Sequence, residues 1–292
     1  MSIRRDSRKV GVRGCRPRLE GLETRELLAT RVTELNGVLT IQGDNKANQV
    51  TVYDGEDVPG GYSPSRIQVV YDGGKTYTPS GPINSINVNL LGGNDTFNYY
   101  LGDTQPSPYG LPDSMRTLRV SMGDGNDKVY AQITGFGYGD GTSPSSLGPG
   151  RWDLRFDLGN GNDQFKLDEY ASLLGTSANN TVNANDVYIL VNGGAGNDNM
   201  VANFAAATVT NSYYDVVMRG GAGNDSMTMQ SYGLVNMANS TVNFDRYGDA
   251  GNNSLLGQVE YQLSSNTMFG HVLDSGSGNG KVKATFKGQS RA

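Results

Sequence analysis

The 292-residue chain predicts an all-β fold, a right-handed parallel β-solenoid of about eight coils with one glycine-rich turn column. Three observations carry that reading. A six-residue glycine-rich turn recurs eight times. The strands on either side of it keep the same apolar parity in each copy. Glycine makes up 41 residues, about twice its usual share, which suits turns and strands. A β-sandwich or a propeller with the same turns is the alternative, because sequence does not fix strand pairing.

The chain opens on a basic stretch. Arg4, Arg5, Arg8, Lys9, Arg13, Arg16 and Arg18 against Asp6 give +6 over residues 1–19, so a net charge of −5 leaves −11 on 20–292. An acidic body repels phosphates, which excludes nucleic acid as a partner, and it makes cations the natural electrostatic ligand. No apolar run is long enough for a transmembrane segment, and no apolar block marks a standard secretory signal. With Cys15 and His271 as the only cysteine and histidine, neither a disulfide framework nor a His- or thiolate-based metal site is available.

Residues 1–30 read as a basic N-terminal and targeting segment, and 31–292 as the repeat domain. Within the segment, Arg18, Leu19, Glu20, Leu22, Glu23, Arg25, Leu27 and Leu28 resemble the R-x-L-E-x-L-E-x-R-x-L-L motif that opens many bacterial exported or surface proteins. Gly21 departs from the commonest form, which has proline. That resemblance implies export, to the extracellular space or the cell surface.

The turns follow in order. Asn48, Asp95, Asp127, Asp163, Asp198, Asp225, Asn253 and Gly280 occupy the sixth position of the successive copies, at intervals of 47, 32, 36, 35, 27, 28 and 27 residues. The outer copies are degenerate, as terminal units of a stack are. Stepping back by twos from each turn gives Leu39 and Ile41; Ile86, Val88 and Leu90; Leu118, Val120 and Met122; Leu154, Phe156 and Leu158. The later copies give Val187, Ile189 and Val191; Tyr214, Val216 and Met218; Val242 and Phe244; and Leu273. Two residues after each turn stand Val50, Phe97, Val129, Phe165, Met200, Met227, Leu255 and Val282, all apolar. A one-residue slip would reverse every face, so the register is strongly specified.

A copy of 27–28 residues suits three short strands and three turns per coil. Longer copies carry excursions at 104–113 and 135–150, and 66–74 reads as an extra strand. One unit has nothing to bury its apolar face against, so the units must stack.

The turns resemble the calcium-binding nonapeptide GGxGxDxUx of RTX (haemolysin-type) repeat proteins. Gly193, Gly194, Gly196 and Asp198 with Met200 match every fixed position, as do Gly220, Gly221, Gly223 and Asp225 with Met227. The turns holding Gly123, Gly125 and Asp127, and Gly159, Gly161 and Asp163, lack the first glycine; the turn with Gly92, Gly93 and Asp95 lacks the first two. RTX arrays repeat every nine residues, whereas here one motif falls in each coil, so ions would occupy one edge only. The resemblance implies Ca2+ held between successive turns by these aspartates and glycines. The residue types suit it, since calcium takes six to eight oxygens, carboxylate and carbonyl among them. Five aspartates make four gaps with a carboxylate on both sides, Asp124 adds a carboxylate near the first two, and Asn48 and Asn253 offer neutral oxygens.

Turn chemistry without metal is the competing reading. Asn94, Asn126, Asn162, Asn197, Asn224, Asn252 and Asn279 fall at the fifth position, an arrangement suited to a stacked amide ladder. The function these readings imply is a calcium-binding, non-enzymatic extracellular or cell-surface protein, structural or adhesive, with extracellular polysaccharide or cell-surface components as partners. The alternatives are a metal-free structural β-solenoid and a polysaccharide-acting β-helix enzyme, a lyase or hydrolase. For the latter, Asp153, Asp157 and Asp168 alone do not make the paired-carboxylate cleft such chemistry needs. Tyr99, Tyr100, Tyr213 and Tyr214 read as stacked aromatics before sugar platforms. Arg119 and Arg155 fall on outward positions of neighbouring coils.

Overall fold

A computed structural model describes residues 30–55, 67–102, 115–134, 151–170, 173–174, 185–204, 208–210, 212–263 and 266–290. The basic N-terminal segment up to residue 29 and the excursions 104–113 and 135–150 lie outside the described residues. Among the described residues every regular element is a strand.

The first strands are β1 (Arg31–Leu35), β2 (Val38–Gln42), β3 (Gln49–Asp54), β4 (Ile67–Tyr71) and β5 (Lys75–Tyr77). Asn36 and Gly37, at φ 51° and 76°, make the two-residue link of the β1–β2 hairpin. Next come β6 (Ser85–Asn89), β7 (Thr96–Leu101), β8 (Met115–Ser121), β9 (Lys128–Ile133), β10 (Arg151–Asp157), β11 (Gln164–Glu169) and β12 (Leu173–Leu174). They are followed by β13 (Asn185–Ala195), β14 (Asn199–Phe204), β15 (Thr208–Thr210), β16 (Ser212–Ala222) and β17 (Ser226–Ala238). The last four are β18 (Thr241–Tyr247), β19 (Ser254–Leu263), β20 (Met268–Asp274) and β21 (Lys281–Ser290).

These strands make two long sheets. The first runs β1-β2-β6-β8-β10-β13-β16-β18-β20, parallel from β2 onward. The second runs parallel through β3, β7, β9, β11, β14, β17, β19 and β21. Each glycine-rich turn carries the chain from a strand of the first sheet to one of the second, and we call that strand–turn–strand unit a rung. Parallel pairing of successive rungs in both sheets is compatible with a β-solenoid.

The sequence periodicity survives as register. Val50, Phe97, Val129, Phe165, Met200, Met227, Leu255 and Val282 pair in succession down the second sheet. Leu39, Ile86, Leu118, Leu154, Ile189, Val216, Phe244 and His271 do so down the first. The inward residues form one core between the sheets; Leu273 and Val282, both in the last rung, are the two of those read from sequence that stay partly or largely exposed.

Two features differ from the expected coil. Three short strands per repeat become two in the sixth and seventh rungs among the described residues: β17 runs unbroken from Ser226 to Ala238 and β19 from Ser254 to Leu263, and the pairing of β17 with β19 slips at Gln230/Leu234. That bulge lets one strand pair with β14 in its first half and with β15 in its second. At the other end, antiparallel strands close the stack: β1 lies on β2, β4 on β3 and β5 on β4. The extra strand expected over 66–74 is therefore β4, part of a cap. No strand among the described residues pairs with the outer edges of β20 and β21.

Candidate aspartate-column site

The turns stack as closely as their strands. In the fourth position Gly125, Gly161, Gly196 and Gly223 have φ between 139° and 149°, and a Cβ on any of them would overlap the carbonyl oxygen of the preceding rung's fourth residue. Glycine is required there by backbone approach as well as by handedness. Main-chain bonds then tie turn to turn: Asp124 N–H donates to Leu91 O (3.0 Å), Gly93 N–H to Asp124 O (2.8 Å), and Gly125 N–H to Asn160 O (2.8 Å). The second position also demands positive φ, and Leu91 (72°) and Asp249 (59°) adopt it without being glycine.

The fifth-position asparagines point outward and form the expected ladder. The N–H groups of Asn126, Asn162, Asn197, Asn224, Asn252 and Asn279 each donate to the preceding asparagine's Oδ1, at 2.7–2.9 Å. The Nδ2 groups of Asn197 and Asn224 also donate to the preceding Oδ1 (3.1 and 3.2 Å), and the side chains are exposed, so water is within reach of the ladder.

The sixth-position residues point the other way. Asp95, Asp127, Asp163, Asp198 and Asp225 are 1–2% exposed. Their Oδ1 atoms accept from the preceding rung: Asn48 N–H to Asp95 (2.6 Å), Asp95 N–H to Asp127 (2.7 Å), Asp127 N–H to Asp163 (2.7 Å), Asp163 N–H to Asp198 (2.9 Å) and Asp198 N–H to Asp225 (2.9 Å). All five Oδ2 atoms are buried without a hydrogen-bond partner.

Asn253 shows what Oδ2 faces. It holds the sixth position of the seventh turn, and its Oδ1 accepts from Asp225 N–H (2.7 Å) like any member of the column. Its Nδ2 donates to Gly248 O (2.6 Å) and to Ser275 O of the next rung (3.2 Å), both first-position carbonyls. At the aspartates an oxygen stands in place of that donor. The space a Cβ would fill at Gly220 lies close to both Asp225 Oδ2 and Gly248 O, and the same holds at Gly193 for Asp198 Oδ2 and Gly220 O. Oxygen facing oxygen in a dry site is repulsive unless a proton or a cation lies between them.

The acidities follow. Burial lifts Asp95 and Asp163 to about 7 and Asp198 to about 6, and raises Asp127 and Asp225 as well. The N–H bond into each Oδ1 opposes the shift, and neighbouring acids add to it, Asp198 and Asp127 in the case of Asp163. Burial is the larger cause, ahead of the like charge of neighbouring acids.

The donor set of this column is oxygen throughout: one unpartnered carboxylate oxygen per rung and first-position carbonyls. That is the hard chemistry calcium takes. Among the described residues no group of three or more His, Cys, Asp or Glu side chains converges, so main-chain oxygens and water would complete any coordination shell. Asp124 sits on the exposed side of its turn, where its Oδ1 accepts from Asn160 Nδ2 (2.7 Å).

Other residues singled out from sequence are placed elsewhere. Asp153 accepts from Arg119 and Arg155 (2.7 and 2.9 Å), and Asp168 from Lys166, Tyr130 and Asn203. Tyr99 and Tyr214 are core, and Tyr100 stacks on Tyr53 with centroids 5.2 Å apart. The sequence reading passed over several buried polar residues, Asp54 and Glu169 among them, and one that is fully buried, Arg246. It lies two residues before its turn, on the inward parity of its strand, so stepping by twos from Gly248 would have found it. Comparison with protein-family models, curated proteins and solved structures finds no match.

Proposed function

We propose that this chain is a calcium-binding, non-enzymatic structural or adhesive protein of the cell exterior, a right-handed β-solenoid of about eight coils with Ca2+ along its aspartate column. The observation that supports this reading is the row of five buried, unpartnered Oδ2 atoms. The likeness of the turns to RTX repeats adds to it. Asp95, Asp127, Asp163, Asp198 and Asp225 would hold the ions, with first-position carbonyls such as Gly220 O and Gly248 O beside them. Bound calcium supplies positive charge where oxygens otherwise face oxygens. The residues themselves orient Oδ1 toward the preceding rung, exclude water from the column and leave Oδ2 free.

A metal-free structural solenoid is the second reading. It is supported by the turn-to-turn hydrogen bonds, which close the stack without an ion, and by Asn253, which fills the same place with an amide. Calcium titration of the full chain, followed by circular dichroism and calorimetry and reversed with EDTA, separates the two. The calcium reading expects bound metal and a raised melting temperature. It also expects Asp163→Ala to lose stability with calcium and to be neutral or more stable without it. No bound metal, or the same loss in both conditions, leaves the metal-free reading. Release of unsaturated or reducing sugar ends from acidic polysaccharides would instead support a polysaccharide-acting enzyme.

A further inference from the structure

The outward residues of the first sheet keep the same register as its core. Gln42, Asn89, Ser121, Asp157 and Asn192 pair in one outward row, and Thr40, Asn87, Arg119, Arg155 and Leu190 in the next. The two rows border a groove of about 540 Å³ that crosses five strands. Four strand spacings of about 4.8 Å make it roughly 19 Å long. A second groove of about 510 Å³ shares Arg155 with the first and has Tyr188 and Tyr213 in its wall.

Both guanidiniums are held by one carboxylate. Arg119 donates to Asp153 Oδ2 (2.7 Å) and to Asp153 O (3.2 Å), and Arg155 donates to Asp153 Oδ1 (2.9 Å) and Oδ2 (3.3 Å). Arg119 Nε and Arg155 Nη1 keep no partner among the described residues. Donors fixed before a ligand arrives lower the entropy cost of binding. Tyr213 is 40% exposed and stacks on no ring among the described residues, although sequence placed it with the stacked aromatics.

The occupant follows from what the face offers. Each of β2, β6, β8, β10 and β13 has a neighbour on both sides, so an extended polypeptide finds no edge to pair with here. Charges cancel along the grooves, Arg119 and Arg155 against Asp153 and Asp157, and Arg151 against Asp186, within an acidic body. A polyanion therefore gains no local attraction and meets the repulsion of the whole. The rows supply amide, hydroxyl and guanidinium groups at strand spacing, with tyrosine rings, apolar on their faces, beside them. A sugar chain has the matching chemistry, hydroxyls around the edge of each ring and C–H groups on its faces. An extended β-linked chain advances by about one sugar per strand spacing.

We propose that the outer face of the first sheet binds an extended, uncharged, β-linked polysaccharide along these grooves, with hydroxyls on the amides and guanidiniums and a sugar ring on Tyr213. The inference rests on the proposed exterior, adhesive role for access to such a polymer, and not on calcium.

Isothermal titration of the full chain in calcium-containing buffer tests it, with xylohexaose and cellohexaose as probes. At least one of them should bind, and coiled maltohexaose and charged hexagalacturonate should bind at least about tenfold more weakly. Ser121→Tyr fills the middle of the first groove with a side chain that strands favour, and it should abolish binding. Tyr213→Ala should weaken binding by about fivefold or more. Both variants should keep the parent's circular dichroism and calcium uptake, which separates loss of this site from loss of the column. The proposal is overturned if neither xylohexaose nor cellohexaose binds, if hexagalacturonate binds more tightly than both, or if the folded variants bind like the parent. Glycan binding without calcium uptake would sustain this site and sink the calcium reading; calcium uptake without glycan binding would do the reverse.

Discussion

Asn162 and Asp163 are consecutive residues of one turn, and each belongs to a column built from the same kind of bond. The columns run in opposite directions. Asn162 Oδ1 accepts from Asn197 of the following rung, and Asp163 Oδ1 accepts from Asp127 of the preceding one. What separates them is the second polar atom. Outside, the asparagine amide meets water; inside, the aspartate Oδ2 meets nothing that donates. A ladder of side chains is thus complete or incomplete according to the face of the turn it occupies, and only the incomplete one has a use for a ligand.

The largest effect should come from breaking both columns together. Gly161→Ala places a methyl on the Gly125 carbonyl and strains a φ of 148°. It should cost about 3 kcal/mol or more. Urea denaturation measures it, and a loss below about 1 kcal/mol would show that the turns are not in contact.

Asp163→Asn makes the inner column locally resemble Asn253. Without calcium the new amide can donate to first-position carbonyls, and the variant should gain about 1–3 kcal/mol over the parent. With calcium the order should reverse. A variant less stable than the parent in EDTA would mean that Oδ2 is already satisfied.

Acidity sharpens the contrast further. An aspartate lifted from 3.8 to about 7, as Asp95 and Asp163 are, keeps its proton where the unfolded chain has lost it. Its contribution to stability is complete below the unfolded value and is lost as pH rises through about 7. In EDTA the melting temperature should therefore climb as pH falls from 8 to 5, and Asp163→Asn should flatten the slope. A parent profile that is flat over that range would count against the buried, uncharged column.

Asn162→Ala should do least. It removes one acceptor from an exposed ladder, water replaces it at Asn197 N–H, and the loss should be about 0.5 kcal/mol. A loss as large as that of Gly161→Ala would mean that the outer ladder, not the inner one, holds the turns together.

Much of this arrangement was legible before any fold was known. Alternation about the turns fixed which residues face inward, because each turn resets the parity of its rung; Val50 through Leu255 are buried as expected. The in-or-out fate of Asn162 and Asp163 was not legible, since it depends on the positive-φ residues Gly159 and Gly161, which set where the turn aims its side chains. The antiparallel caps were equally hidden: β1 and β4 have strand-like sequences, and only pairing reveals that they close one end. Arg246 was passed over because its charge argued for the surface, while the room that admits it belongs to Gly257 on another strand.

The parallel register has a mechanical consequence. Traction along the stacking axis pulls on hydrogen bonds that lie along that axis, and the interfaces between rungs bear the same load one after another. The stack is then as strong as its weakest interface. In the first sheet β2 and β6 are joined over five residue pairs and β13 and β16 over ten. A tethered molecule under tension would part first near its capped N-terminal end and leave the later rungs folded.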